Sequence, residues 1–253
     1  MASQAEANRP NIMKNVMFVS AKALYHRIRE LHPALDAFLF RIWNRRGIIK
    51  KIEGRNHVID IHPMAILDGV QFLISGQDHK ISIGRKTSLK NVRFRISGRN
   101  HRIVISEDCC FIEGGSFWME DENGLIHISA GATFVNAHFA ATEDNSQILI
   151  GADCMFSYDI DVRTSDSHPV LDLAGNRLNP AKNVHIEDHV WVGEHCSILK
   201  GVHLQAHTVV GIRSTVTRSF DEGNIVIGGS PAKILKRGTT WSRLRSPAKP
   251  LPA

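Results

Sequence analysis

A repeat constrains this chain more than anything else in it. Asn or Asp recurs at Asn56, Asp78, Asn100, Asn123 and Asn145, at spacings of 22, 22, 23 and 22, and the first three lie in GRNH, GQDH and GRNH. Within the units an apolar residue returns at every sixth position: Ile61, Leu67, Leu73; Ile83, Leu89; Ile105, Phe111, Phe117; Ile128, Phe134; Ile150, Phe156, Val162. After an interruption at about residues 164–183 the rhythm resumes at Ile186, Val192, Ile198, Leu204, Val210 and Val216. The helical period of 3.6 fits none of this. A six-residue period is a short strand and a turn, and three such faces close a triangular coil of about 18 residues, with four more as a corner excursion. No single coil buries its own apolar face, so the coils must stack. An all-β stack is expected over residues 52–235, with a helical arm at 1–51, an inserted loop at 164–183 and a basic tail at 236–253.

Four residues after each core aliphatic falls a small or medium one: Val190, Cys196, Val202, Thr208 and Ser214, and upstream Ala65, Thr87, Cys109, Ala132 and Cys154. Three of the four cysteines thus read as compact interior residues. None forms a C-x-x-C pair, so disulfides and a thiolate metal site are not expected. Asn or Asp at one corner suits a residue that must tolerate positive φ, and stacked amides can bond along the ladder.

Charge separates the parts. Residues 1–51 hold ten basic and three acidic side chains and residues 236–253 five and none, which leaves sixteen basic against twenty-two acidic between them. An acidic body with basic arms removes the case for a nucleic-acid-binding fold, whose footprint is a basic face. No signal peptide or long apolar span is evident, so a cytoplasmic location is expected. Residues 12–46 read as one or two amphipathic helices interrupted near Pro33. They can cap the open first coil, or rest on the inner membrane surface through Phe38, Phe40, Ile42 and Trp43 beside Arg41, Arg45 and Arg46. Residues 238–253 read as disordered.

Past the interruption the hexads follow [LIV]-[GAED]-x-x-[STAVC]-x and end in IGGSPAKILKR at residues 227–237. This resembles the hexapeptide-repeat acyltransferases, most specifically over residues 148–237, which carry QILIGADCMFSYDIDVRTSDSHPV, NVHIEDHVWVGEHCSILKGV and GGSPAKILKR. The resemblance implies a left-handed parallel β-helix, an exception to the right-handed crossover preference. It also implies a homotrimer with active sites between subunits, and acetyl-CoA as co-substrate. The stretch is similar to the branch that O-acetylates capsule, lipopolysaccharide or other sugar hydroxyls.

A sugar alcohol is a poor nucleophile at neutral pH, so a base must take its proton as it attacks the thioester. His168 in TSDSHPV stands where the resembled enzymes carry their catalytic histidine. Asp166 either orients that imidazole or caps the loop. Trp191 in HVWVG matches an aromatic of the cleft, with core or interface packing as the competing role. Asn136 falls close to an upstream substrate-binding Asn. Coenzyme contacts fall on Ile212 and Thr217, with Arg218, Lys233 and Lys236 for phosphate groups and Gly229 and Pro231 shaping the loop over the adenine end. Glu194 departs from the family pattern, in which that contact is often small or Ser.

Other functions stay open. Acceptors such as a nucleotide-sugar amine, serine or an antibiotic hydroxyl are used by enzymes with the same coils. A non-enzymatic scaffold would need neither TSDSHPV nor the GGSPAK end. Among fourteen histidines, His185 and His203, and likewise His189 and His207, are 18 apart and should stack on successive coils. A gamma-class carbonic anhydrase would place zinc between such histidines, but these face outward and lack the matching triad, so no metal is expected.

Overall fold

In a computed structural model, residues 44–244 are described. The helices expected over residues 12–46 lie outside them up to residue 43, as do residues 245–253 of the tail. Every element among the described residues is a strand.

The strands fall on three faces. The third face is a separate sheet of Val58–Ile61, Lys80–Ile83, Arg102–Ile105, Leu125–Ile128, Gln147–Ile150, Val184–Ile186 and His203–Leu204. The first face runs from Arg45–Arg46 through Ile66–Asp68, Ser88–Lys90, Met155–Phe156, Trp191–Val192 and Val209–Val210 to Ile225–Gly229. The second carries Ile49–Ile52, Gln71–Ile74, Val92–Ile96, Ile160–Arg163, Ser197–Ile198 and Thr215–Val216. Two long strands, Cys110–Met119 and Thr133–Ala141, bend from the first face into the second. Each rung pairs in parallel with the rung one coil on, and the stack closes on an antiparallel hairpin, Ile225–Gly229 with Ala232–Arg237. This is a parallel β-helix. The expected boundary at residues 51 and 52 comes too late, because Lys50 already pairs with Phe72 and Ile52 with Ile74. The alternation that would have marked this strand is blurred in IKKI, which is exposed along its whole length.

Stacking turns the six-residue rhythm into columns. On the first face Leu67, Leu89, Phe111, Phe134, Phe156, Val192, Val210 and Ile227 lie one above another, all buried. The second face stacks Phe72, Phe94, Phe117 and Phe139, with ring centroids 4.9, 4.9 and 5.4 Å apart. Removing one such ring costs about 3–5 kcal/mol. Leu73, expected inside, points outward while Phe72 and Ile74 are buried. The corner before it is one residue short, so the rhythm slips from six to five between Leu67 and Phe72. The single spacing of 23 has a matching cause, a bulge between Phe111 and Gly114 opposite Phe134 and Asn136.

The repeated Asn and Asp residues occupy the corner between the second and third faces. Asn56, Asp78, Asn100, Asn123 and Asn145 have φ of 59, 63, 55, 58 and 58°. Asn56 Nδ2 donates to Asp78 Oδ1 at 3.0 Å and Asn100 Nδ2 to Asn123 Oδ1 at 2.8 Å. Gly76 beside them has φ 106°, and a Cβ there would sit 2.0 Å from the carbonyl oxygen of Gly98, so only glycine fits. The loop 164–183 interrupts the stack at this same corner, as an enlarged excursion.

Residues 238–244, expected to be disordered, are packed onto the corner between the third and first faces. Trp241 stacks on the His189 ring with centroids 4.2 Å apart, and its Nε1–H donates to the His189 carbonyl at 2.7 Å. Arg243 donates to Asp153 Oδ1 at 2.6 Å, to Thr133 Oγ1 at 2.8 Å and to the Cys154 carbonyl at 2.9 Å. Burial alone would raise the Asp153 carboxyl, yet Arg243 and His189 hold it below the ordinary aspartate range. A basic, proline-bearing composition hid one aromatic and one guanidinium with partners to reach.

Candidate active site

The loop 164–183 leaves the second face after Arg163 and rejoins the third at Val184. Its tip is a small hairpin in which Leu178 N–H donates to the Val170 carbonyl at 2.8 Å and Asp172 N–H to the Asn176 carbonyl at 2.9 Å. Two ion pairs fasten it to the coils. Arg177 binds Glu143 at 2.6 Å on the preceding coil and holds that carboxyl below its usual range. Lys200, on the following coil, binds Asp166. Thr164 and Ser165 are buried at the loop's root, and Ser167, with φ 64°, turns the chain outward.

His168 is exposed on this loop. Asp166 lies two residues before it, but its carboxylate faces Lys200 and Asn179, whose Nδ2 donates to it at 2.7 Å. The Lys200 ammonium, followed by Asn179, holds Asp166 below its usual pKa. Of the two roles open to Asp166, the geometry fits the loop-fastening one. Asn179 and Lys200 were not singled out in the sequence. Neither belongs to a spacing that separates it from other polar residues, and they meet Asp166 from 13 and 34 positions away.

Register places other predicted residues relative to His168. Val162, Ile198 and Val216 are stacked, so Thr164, Lys200 and Arg218, each two residues on, follow one another down the same corner. Thr217 and Arg218 therefore stand two coils below the root of the His168 loop, both exposed. Asn136, Glu194 and Ile212 occupy a different corner, between the first and second faces. There Glu194 Oε1 lies 2.9 Å from His195 Nε2, which turns its carboxylate toward a histidine. Trp191 lies on the first face between Met155 and Val209, half-exposed and 6.1 Å from Trp241. Lys233 and Lys236 sit on the terminal hairpin, opposite Gly228 and Val226. The GGSP segment that precedes them is stitched to the coil, Gly229 N–H to Ser214 Oγ at 3.1 Å and Ser230 Oγ to Thr215 Oγ1 at 2.9 Å. One chain thus brings Asp166, His168, Thr217 and Arg218 to one corner and leaves Asn136, Ile212 and Trp191 elsewhere.

Of the two expected histidine stacks one forms as parallel rings on the outer surface, whereas His189 and His207, with centroids 5.0 Å apart, are tilted by 57°. His185 and His203 lie parallel with centroids 4.6 Å apart, and Glu187 Oε1 is 2.9 Å from His203 Nε2. The donor atoms of His185, Glu187 and His203 lie within 4.8 Å of one another. Rings 5° from parallel do not aim two nitrogens at one point, so a cation there would require the rings to turn.

A stack of parallel six-residue rungs with one histidine-bearing loop at a corner defines a hexapeptide-repeat β-helix. No family model matches the sequence. The chain is 36% identical over 90 residues to the polysialic acid O-acetyltransferase of Escherichia coli O1:K1, across 35% of this chain and 29% of that one. It is 33% identical over 90 residues to the polysialic acid O-acetyltransferase of Neisseria meningitidis, across 42% of that protein. The matched stretch thus spans less than half the length of either relative. The solved structure of the polysialic acid O-acetyltransferase OatWY superposes with a TM-score of 0.73 at 31% identity, over 79% of this chain and 95% of that one. The chain belongs to the hexapeptide-repeat sugar O-acetyltransferases.

Proposed function

We propose that the protein transfers the acetyl group of acetyl-CoA to a hydroxyl of a sugar in a surface polysaccharide or its precursor, with His168 as general base. The observation that carries this reading is the exposed His168 on a loop pinned to the coils above and below, with Lys200, Thr217 and Arg218 in line beneath it. In this mechanism the imidazole takes the hydroxyl proton as the oxygen attacks the thioester carbonyl. The tetrahedral oxyanion collapses, expels the coenzyme thiolate and leaves the acetyl ester, and the imidazolium returns its proton to the sulfur. Cationic Arg218, Lys233 and Lys236 suit the coenzyme phosphates.

A homotrimer completes the site in this reading. Asn136, Ile212 and Trp191 lie on corners and faces away from His168, and a neighbouring subunit packed side by side is what brings such a set opposite the loop. The exposed Val170, Leu171, Leu173 and Leu178 on the loop give it an apolar surface for that neighbour. Residues 1–43 of the basic arm, expected as a cap of the first coil or as a contact with the inner membrane surface, lie outside the described residues.

The test uses acetyl-CoA with a panel of glycans that includes polysialic acid, reading thiol release and product mass. His168→Ala is expected to lower kcat by about 10²- to 10⁴-fold, the typical contribution of general base catalysis, with the melting temperature unchanged. Near-normal turnover in that variant sinks the assignment.

A further inference from the structure

Asn179 holds the chain on both sides of His168. Its Nδ2 donates to the Asp166 carboxylate at 2.7 Å and to the His168 carbonyl at 2.9 Å, while its Oδ1 accepts the Val170 N–H at 2.6 Å. Its own carbonyl accepts from Lys200 Nζ at 3.0 Å and from Arg177 Nη2 at 3.3 Å. A primary amide offers two donor hydrogens and one acceptor oxygen, and here both ends grip alternate residues 166, 168 and 170. Among the described residues, the bond from Asn179 is the one hydrogen bond made to His168. The intervening Ser167 sits at φ 64°, a conformation that a serine keeps only where its neighbours impose it.

We infer that Asn179 is the positioning residue of His168: one amide fixes the backbone that presents the imidazole, and Lys200 locks that amide's residue to the next coil. This inference rests on the reading of His168 as base. Alanine at 179 removes these three side-chain bonds and a longer one that Oδ1 accepts from Arg177 Nε at 3.5 Å. Aspartate keeps the acceptor for Val170 N–H but sets a second carboxylate against Asp166. Two carboxylates at hydrogen-bond distance share a proton at mildly acidic pH. The protonated form regains one donor, so Asn179→Asp is a pH-dependent copy of the native amide.

The experiment compares wild type, Asn179→Ala, Asn179→Asp and His168→Ala, with acetyl-CoA and the panel glycan that wild type acetylates fastest. Melting curves and hydrogen exchange of the 165–171 segment accompany the kinetics. Asn179→Ala is expected to lower kcat by about tenfold or more, with KM for both substrates within about threefold, the signature of an interaction lost at the chemical step. Exchange in the segment should rise while the melting temperature holds. The kcat of Asn179→Asp relative to wild type should climb as pH falls from about 7 to about 5, because Lys200 and Arg177 beside the pair keep its shared proton on the acid side. Wild-type kcat in Asn179→Ala, or a raised KM at unchanged kcat, overturns the positioning role while leaving an inactive His168→Ala to support the base. A collapsed melting transition in both Asn179 variants also overturns it, in favour of a scaffold role. An active His168→Ala overturns the underlying reading instead.

Discussion

Cys109 and Cys154 behave as their spacing predicted: both are buried, and burial pushes each thiol up to about 12. The thiolate is the reactive form, and at pH 8 a thiol of that pKa is about 10⁻⁴ ionised. Treatment of the native protein with iodoacetamide is therefore expected to leave Cys109 and Cys154 unmodified, and denaturant to expose both; mass spectrometry of the digests reads the difference. The slot these residues fill was legible because it recurs with the coil. The role of Asp166 was not. Its neighbour in sequence is a histidine, whereas its partners Asn179 and Lys200 reach it through a loop and across a coil boundary, which no periodicity encodes. Trp241 was missed for the same reason, since its partner His189 stands 52 residues away.

Among the elements, the histidines of the GRNH and GQDH corners form a ladder of their own. His57, His79 and His101 stack at 5.0 and 5.1 Å. His101 Nε2 faces the Ser97 carbonyl at 2.8 Å and its Nδ1 accepts the Gly124 N–H at 3.0 Å; His79 is held the same way by Ser75 and the His101 N–H. A ring that donates at Nε2 and accepts at Nδ1 is neutral. Burial accordingly lowers both from 6.5. The unfolded chain then binds more protons below about 6.5, so this stabilisation is complete above that value and is lost as pH falls toward the lowered folded values. Melting temperature is expected to drop between about pH 7 and pH 5, and less steeply in a His79→Gln, His101→Gln double variant; equal slopes would rule the ladder out as the cause. The ladder ends where the fourth unit carries Gly124, at which a Cβ would lie 2.9 Å from the His101 ring. In the fifth unit Ser146 Oγ donates to the carbonyl four residues back, the place of the histidine Nε2. Sequence exposed the corner motif but not this substitution of roles, because two chemically unlike residues answer the same backbone carbonyl.

Across the molecule, the first-face column was readable almost rung by rung, whereas of the second-face phenylalanine stack only Phe117 fell on the six-residue rhythm, because Phe72, Phe94 and Phe139 each follow their first-face residue by five. The fastening of residues 238–244 was not readable. Trp241→Ala removes a nearly buried indole from His189 and is expected to cost about 2 kcal/mol, seen as a melting shift of roughly 4–8 °C; a shift below about 1 °C would mean that the strap does not support the coil.

A stack whose coils touch only their neighbours can part at any joint, as a column of coins can. The loop that carries His168 is tied at Arg177 to the coil above it and at Asp166 to the coil below. It therefore bridges the joint like a rivet, and any crack that opens there releases the histidine. With His168 as the base proposed above, intactness of that joint becomes a condition of activity, and turnover would report the mechanical closure of the column at the place where its winding is broken.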